Sequence, residues 1–184
     1  MRNQKSGLLS RIIIAFSMCT LIACAQFPND LRLPAVVPIS LKESGDVFTK
    51  TIDVVDHNNY YFSLRFSYNQ DDQVDRARVR GLLGGHEIDK QRKPLEPGVS
   101  TPVLLTVYAM DAGQEVEVFK KEIDPILTSW GGDNFKKTIG FTELKPGRYL
   151  VQLKSLRACP EFNQIPVALS IGYDKFKIIF VPKE

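Results

Sequence analysis

The sequence predicts an all-β fold: an antiparallel β-sandwich of about seven or eight strands with one short inserted helix. Three observations predict it. From residue 48 onward, apolar side chains recur with a period of two, as they do on a strand with one buried face. Turn-forming clusters of Gly, Pro, Asn and Asp separate these runs. One stretch alone, Asp71 to Gly85, departs from the alternation and carries helix signals at both ends.

The strands follow in order. Phe48, Ile52 and Val54 fit a first strand, and Asp56-His57-Asn58-Asn59 turns the chain. Tyr60, Phe62, Leu64, Phe66 and Tyr68 then alternate with Tyr61, Ser63, Arg65 and Ser67, which gives one strongly apolar face. Val103 to Tyr108 and Glu115 to Phe119 make a hairpin around Asp111-Ala112-Gly113. Tyr149, Val151 and Leu153 follow, then Val167, Leu169 and Ile171, and last Phe176, Ile178 and Phe180. Short strands at this spacing suggest two packed antiparallel sheets.

Leu144-Lys145-Pro146-Gly147-Arg148-Tyr149 leads straight into a strand. It resembles the tyrosine corner of immunoglobulin-like sandwiches, in which the Tyr hydroxyl bonds a backbone group a few residues upstream. The sandwich is therefore expected to be immunoglobulin-like. In the helical stretch, acids stand first and arginines last, matching the helix dipole. Asp72 and Arg76 are spaced for an i,i+4 pair, and Gly84 or Gly85 would end the helix. Arg76, Arg78 and Arg80, with Lys90, Arg92 and Lys93, could form a basic patch. The competing reading is a solvated face balanced by Asp71, Asp72 and Asp75.

The N-terminus is of another kind. Arg2, Lys5 and Arg11 precede the apolar run Ile12 to Ala23, and the first acid is Asp30. A positive region, a short apolar region and small residues at its end mark a secretory signal peptide. The uncharged run is too short to span a bilayer, which takes about 20 apolar residues. Leu21-Ile22-Ala23-Cys24 resembles a bacterial lipobox. That resemblance implies cleavage after Ala23 and lipidation of Cys24, with attached chains contributing about 0.8 kcal/mol per buried CH2. Ala25, by analogy with sorting in enteric bacteria, favours the outer membrane, facing the periplasm. The expected organisation is a signal peptide over 1–23, a lipidated, Pro-rich tether over 24–38 and a sandwich over 39–184. Extended, residues 25–38 reach roughly 40 Å. Leu31 to Val37 is also apolar enough to dock on the domain.

Processing removes the charge excess. Of 24 Lys and Arg against 21 Asp and Glu, three basic residues lie in the signal, which leaves 21 against 21. A neutral mature chain lacks the basic footprint of a nucleic-acid binder. Of the three cysteines, Cys19 leaves with the signal and Cys24 takes lipid, so Cys159 has no partner for a disulfide within the chain. A reactive thiol is one reading of Cys159; a small buried hydrophobe is the other.

Motifs for chemistry are sparse. His57 and His86 are the only histidines, without HExxH spacing, and His57 reads as a solvated loop residue. No GxSxG elbow is present, and Gly81 to Gly85 lacks the Lys of a phosphate loop. No catalytic residue, metal or cofactor is therefore expected. Ser129-Trp130-Gly131-Gly132-Asp133-Asn134-Phe135 holds the one Trp of the chain. In a Gly-rich connection it would serve as an interface anchor or a sugar-stacking platform; the ordinary alternative is a cap on the core. Trp130, Arg76, Arg78 and Arg80 are the candidate partner-binding residues.

Taken together, Tyr60 to Phe66, Asp75 to Val79, Pro94 to Val99 and Pro146 to Tyr149 resemble a family of uncharacterised proteobacterial lipoproteins. The resemblance covers about Pro38 to Pro182 and implies a single immunoglobulin-like domain of unknown function, with no catalytic residues. Two function classes follow. One is a membrane-anchored, non-catalytic protein-interaction module with a periplasmic protein partner, for instance an immunity protein against a delivered toxin. The other is a carbohydrate-binding or hydrolytic envelope protein using the Trp130 loop.

Overall fold

Strands with one apolar face must bury it, and here two sheets bury theirs against each other. The computed structural model describes residues 31–91, 95–111 and 113–173. The chain runs through β1 (Leu31–Arg32), β2 (Ala35–Ile39), β3 (Gly45–Val54) and β4 (Asn58–Ser67) to the helix α1 (Gln73–Leu83). After it come β5 (Val103–Asp111), β6 (Gln114–Ile123), β7 (Leu127–Gly131), β8 (Asn134–Leu144) and β9 (Gly147–Ser155). A 3-10 turn at Pro160–Phe162 precedes β10 (Val167–Tyr173).

The first sheet has the order β1-β3-β9-β5-β6 and the second β2-β10-β4-β8-β7. Their pairings are antiparallel except β1 with β3. The alternating residues do what their period requires: Ile52, Phe62, Leu64, Phe66, Leu105, Val107, Val151, Leu153, Leu169 and Ile171 are all fully buried between the sheets. Each such side chain contributes about 1.5–3 kcal/mol by leaving water. This is the predicted antiparallel sandwich with one inserted helix, built from ten strands among the described residues instead of seven or eight.

The added strands have physical reasons for escaping the alternation. β1 and β2 lie in the stretch expected to be tether. Instead, Leu31–Arg32 joins β3, and Ala35–Ile39 zips along β10 from Ile171 to Val167. The boundary expected at Pro38 thus falls ahead of Leu31, and the apolar stretch docks. β8 is the longest strand, yet Lys137 stands where an inward apolar residue belongs, and a register shift opposite Phe62 and Ser63 changes the parity. Phe141 consequently points outward and is 66% exposed. The expected strand Phe176 to Phe180, like residues 1–30 with the signal peptide and Cys24, lies outside the described residues.

The tyrosine corner is present, and it is doubled. Tyr149 Oη donates to Lys145 O at 2.9 Å, at the crossing from β8 in the second sheet to β9 in the first. Tyr60 Oη donates to Asp56 O at 2.9 Å, at the crossing from β3 back to β4. Because β3 pairs with β9 and β4 with β8, two adjacent crossings of opposite direction carry the same latch four residues apart in sequence. Burial is the first cause raising the Tyr60 pKa above its ordinary value, with the neighbouring Tyr173 and Asp56 adding to it. Tyr149→Phe and Tyr60→Phe are each expected to cost about 0.5–1.5 kcal/mol, rising to about 1–3 kcal/mol where the carbonyl is left dry. Tyr60, the more deeply buried of the two, takes the larger loss. Urea midpoints at constant slope measure both; unchanged midpoints would mean the latches hold nothing.

Helix α1 has the expected ends. The Asp72 carboxylate accepts from the amides of Val74 at 2.8 Å and Asp75 at 3.1 Å. Gly84, with φ of 78°, closes the helix and donates its amide to Arg80 O. The expected Asp72–Arg76 pair does not form, because that carboxylate is occupied at the N-cap. Asp75 takes Arg78 instead, at 2.6 Å. Val79 and Leu83 pack the helix onto the core. No helix among the described residues is long and apolar enough to cross a membrane.

Candidate functional site

A groove of about 340 Å³ opens between α1 and the β7–β8 hairpin, lined by Gln73, Arg76, Ala77, Arg80, His86, Trp130 and Phe135. Residues 76, 77, 80 and 73 share one helix face, as spacings of three and four require. Opposite them, Trp130 on β7 registers with Phe135 on β8, so both rings lie on the same side of the sheet. Phe135 is buried beneath α1, whereas Trp130, on the last strand of its sheet, is 51% exposed. It is therefore not the cap of the core that was the ordinary expectation for it.

The groove joins residues from three places. His86 is carried there by the chain that follows Gly84 and Gly85, and its ring stands 4.8 Å from that of Trp130 at 54°. Tyr68 packs on Phe135 at 4.9 Å and donates its hydroxyl to Gly132 O at 2.6 Å, which fixes the hairpin. Arg76 lies over the Tyr68 ring, 5.8 Å from its centroid. Arg80 donates to Gly84 O and faces Glu96 at 3.9 Å across an exposed edge.

Of the four candidate binding residues, Trp130, Arg76 and Arg80 come together here. Arg78 turns away to Asp75 and takes no part. Of the additional basic residues, Lys90 is exposed and half-way along the following loop, while Arg92 and Lys93 lie outside the described residues. Phe135 closes the candidate loop that the sequence shows around Trp130; sequence reasoning missed His86 as a member of the site. The available signal for His86 was the glycine pair before it, which lets the chain turn back over the helix end.

Positive charge predominates in the groove, with Glu96 facing Arg80 at its edge. Asp72 is committed to the helix N-terminus, and Asp75 receives the Asn69 amide at 2.8 Å as well as Arg78. These bonds, the Asn69 amide first, hold the Asp75 carboxyl below the usual range. Asp75 thus balances Arg78, as expected of it, while Asp72 is spent on the helix end, so neither meets Arg76 or Arg80. The lining itself holds two arginines and a histidine and no carboxylate.

Elsewhere, His57 meets Glu143 across an exposed turn. Cys159 is buried, with Sγ 3.5 Å from the carbonyls of Ser100 and Arg157, and burial raises its thiol pKa. Among the described residues no three of His, Cys, Asp and Glu are grouped as metal ligands.

Two solved structures resemble the chain, and the first of them supports the fold. A crystal structure of a protein from Sulfurospirillum deleyianum is similar with a TM-score of 0.63 at 17% identity, covering 77% of this chain and 98% of that one. A pre-peptidase C-terminal domain of a Bacillus anthracis collagenase matches with a TM-score of 0.35 at 13% identity, covering 78% of this chain and 92% of that one. No curated protein matches in sequence. Over residues 36–173 the chain matches DUF5625, a domain of unknown function, and it belongs to that family.

Proposed function

We propose that the chain is a lipoprotein of the proteobacterial cell envelope, anchored through Cys24 on the periplasmic side of the outer membrane. Its sandwich acts as a non-catalytic module that binds a periplasmic protein. The anchor is supported by the basic, apolar and Leu21-Ile22-Ala23-Cys24 order of the N-terminus. One observation carries the binding role: Trp130 stands half-exposed against His86 in a groove bordered by Arg76 and Arg80. Tryptophan and arginine are the residue types that most often dominate interface energies. An immunity protein against a delivered toxin is the specific form of this reading to test first. For a carbohydrate hydrolase at Trp130 the groove lacks a pair of carboxylates to serve as acid and base, which favours binding over hydrolysis.

Tagged full-length protein captured from intact envelopes tests both halves. Cys24→Ser is expected to abolish fatty-acid labelling and leave uncleaved precursor. Trp130→Ala is expected to keep the label and weaken partner capture by about 2 kcal/mol, roughly thirtyfold. Equal labelling of the Cys24 variant would remove the anchor. Undiminished capture by the Trp130 variant would remove the groove as the binding face.

A further inference from the structure

Resting on that binding role, we propose that the groove receives an extended acidic segment of the partner, with carboxylates at alternate positions against Arg76 and Arg80 and an apolar or aromatic side chain on Trp130. The spacing supports it. Arg76 and Arg80 stand one helical turn apart, about 6 Å along the axis. Alternate residues of an extended strand repeat at about 6.6 Å and point the same way. Two carboxylates of such a segment meet two guanidiniums without bending either chain, and Arg is suited to bidentate carboxylate pairing.

The charge supports it as well. The lining itself holds no carboxylate; Glu96 stands at its exposed edge, 3.9 Å from Arg80, and the nearest acids of α1 are held by the N-cap and by Arg78. Among the described residues Arg76 is held only by the Tyr68 ring, which leaves its N–H groups to a ligand. The contrast with a chain that is balanced at 21 against 21 after processing makes this a local feature, not a general one. The geometry admits an extended occupant because β7, which carries Trp130, is the last strand of its sheet among the described residues.

Trp130 is the only tryptophan, so its fluorescence reports the groove directly. The experiment titrates full-length protein in detergent with a capped Gly-Glu-Phe-Glu-Gly peptide and its Gly-Gln-Phe-Gln-Gly counterpart. The acidic peptide is expected to give a saturable change that weakens with added salt, and the glutamine peptide to bind at least about tenfold more weakly. Arg76→Gln, alone and with Arg80→Gln, should lower affinity for the acidic peptide, whereas Arg78→Gln, which removes the same charge from the same helix outside the groove, should not. Equal binding of the two peptides, or an arginine effect as large at Arg78 as at Arg76, overturns the inference. Partner capture that depends on Trp130 but is indifferent to Arg76 and Arg80 also overturns it, while leaving the proposed binding role standing.

Discussion

Gly98→Ala is expected to destabilise the domain by about 3 kcal/mol, the upper end of the cost of overpacking. A methyl group at Gly98 would stand 2.2 Å from the Leu83 carbonyl carbon, 2.4 Å from the Gly84 nitrogen and 2.5 Å from Leu82 O. All three are backbone atoms at the end of α1, so no side chain can rotate out of the way. The crossing is also bonded: Val99 donates to Leu82 O and Gly85 to Glu96 O, both at 2.7 Å. Separating the strands of this crossing would loosen the loop that carries His86 into the groove. Gly81→Ala is the control from the same helix. Nothing lies within 4 Å of the added methyl there, and α1 should gain about 0.5–1 kcal/mol. Urea midpoints at equal slope compare the three proteins. A Gly98→Ala protein as stable as the native one would mean that the loop does not press on the helix end.

The second large effect is a pH dependence. Lys137 is 2% exposed and donates to Val99 O at 3.1 Å and Thr101 Oγ1 at 3.3 Å. No carboxylate bonds its ammonium directly, although the charge of Asp124 nearby works the other way. Burial, the largest cause, lowers its pKa from 10.5 to about 8. The unfolded chain therefore binds this proton more tightly than the folded one. Below about pH 8 both forms are charged and the desolvation penalty is complete. Between about pH 8 and 10.5 the folded state sheds the proton first, so stability rises with pH; it is lost again as pH falls through the folded value. The shift corresponds to about 3 kcal/mol over that window. Cys159 and Tyr60, whose pKa values are raised, act in the opposite direction at the alkaline end. Tyr60 is common to both proteins when native and Lys137→Met are compared, whereas Cys159 feels the Lys137 charge, so its contribution enters the difference as part of the same coupled pair. The expected result is a native-minus-variant stability difference that climbs across the window. A flat difference would mean that Lys137 is solvated in the folded state.

Lys137 also marks where the sequence stops being legible. Six of the ten strands among the described residues announce themselves through alternation: in five of them it follows the largely apolar inward face, whereas in β6 the alternating Val116 and Val118 are exposed. β8 does not announce itself, since a lysine occupies an inward position and satisfies itself on a loop carbonyl, Val99 O, and a hydroxyl, Thr101 Oγ1, that only the folded chain brings near. The Tyr149 corner is readable from its Pro-Gly turn. Its twin at Tyr60 is not, because Tyr60 also begins a perfect apolar alternation, and that role masks the hydroxyl. At the candidate site, Trp130 and the arginines of α1 are visible as residue types. What the sequence does not carry is which arginines face the tryptophan, since Arg78 and Arg80 differ only by their angle around the helix. The exposure of Trp130 likewise depends on β7 being an edge, a property of strand order and not of local composition.

The two N-terminal strands have a mechanical meaning. β1 enters the first sheet beside β3, and β2, after the intervening Leu33 and Pro34, enters the second beside β10. A pull on the chain ahead of Leu31 is met first by two residues in one sheet and then by five in the other. The two grips are thus loaded in turn, one in each half of the sandwich, and β2 takes the pull only once β1 has slipped. For a domain held by its N-terminus, resistance to force would then be governed by the rate at which these two strands let go.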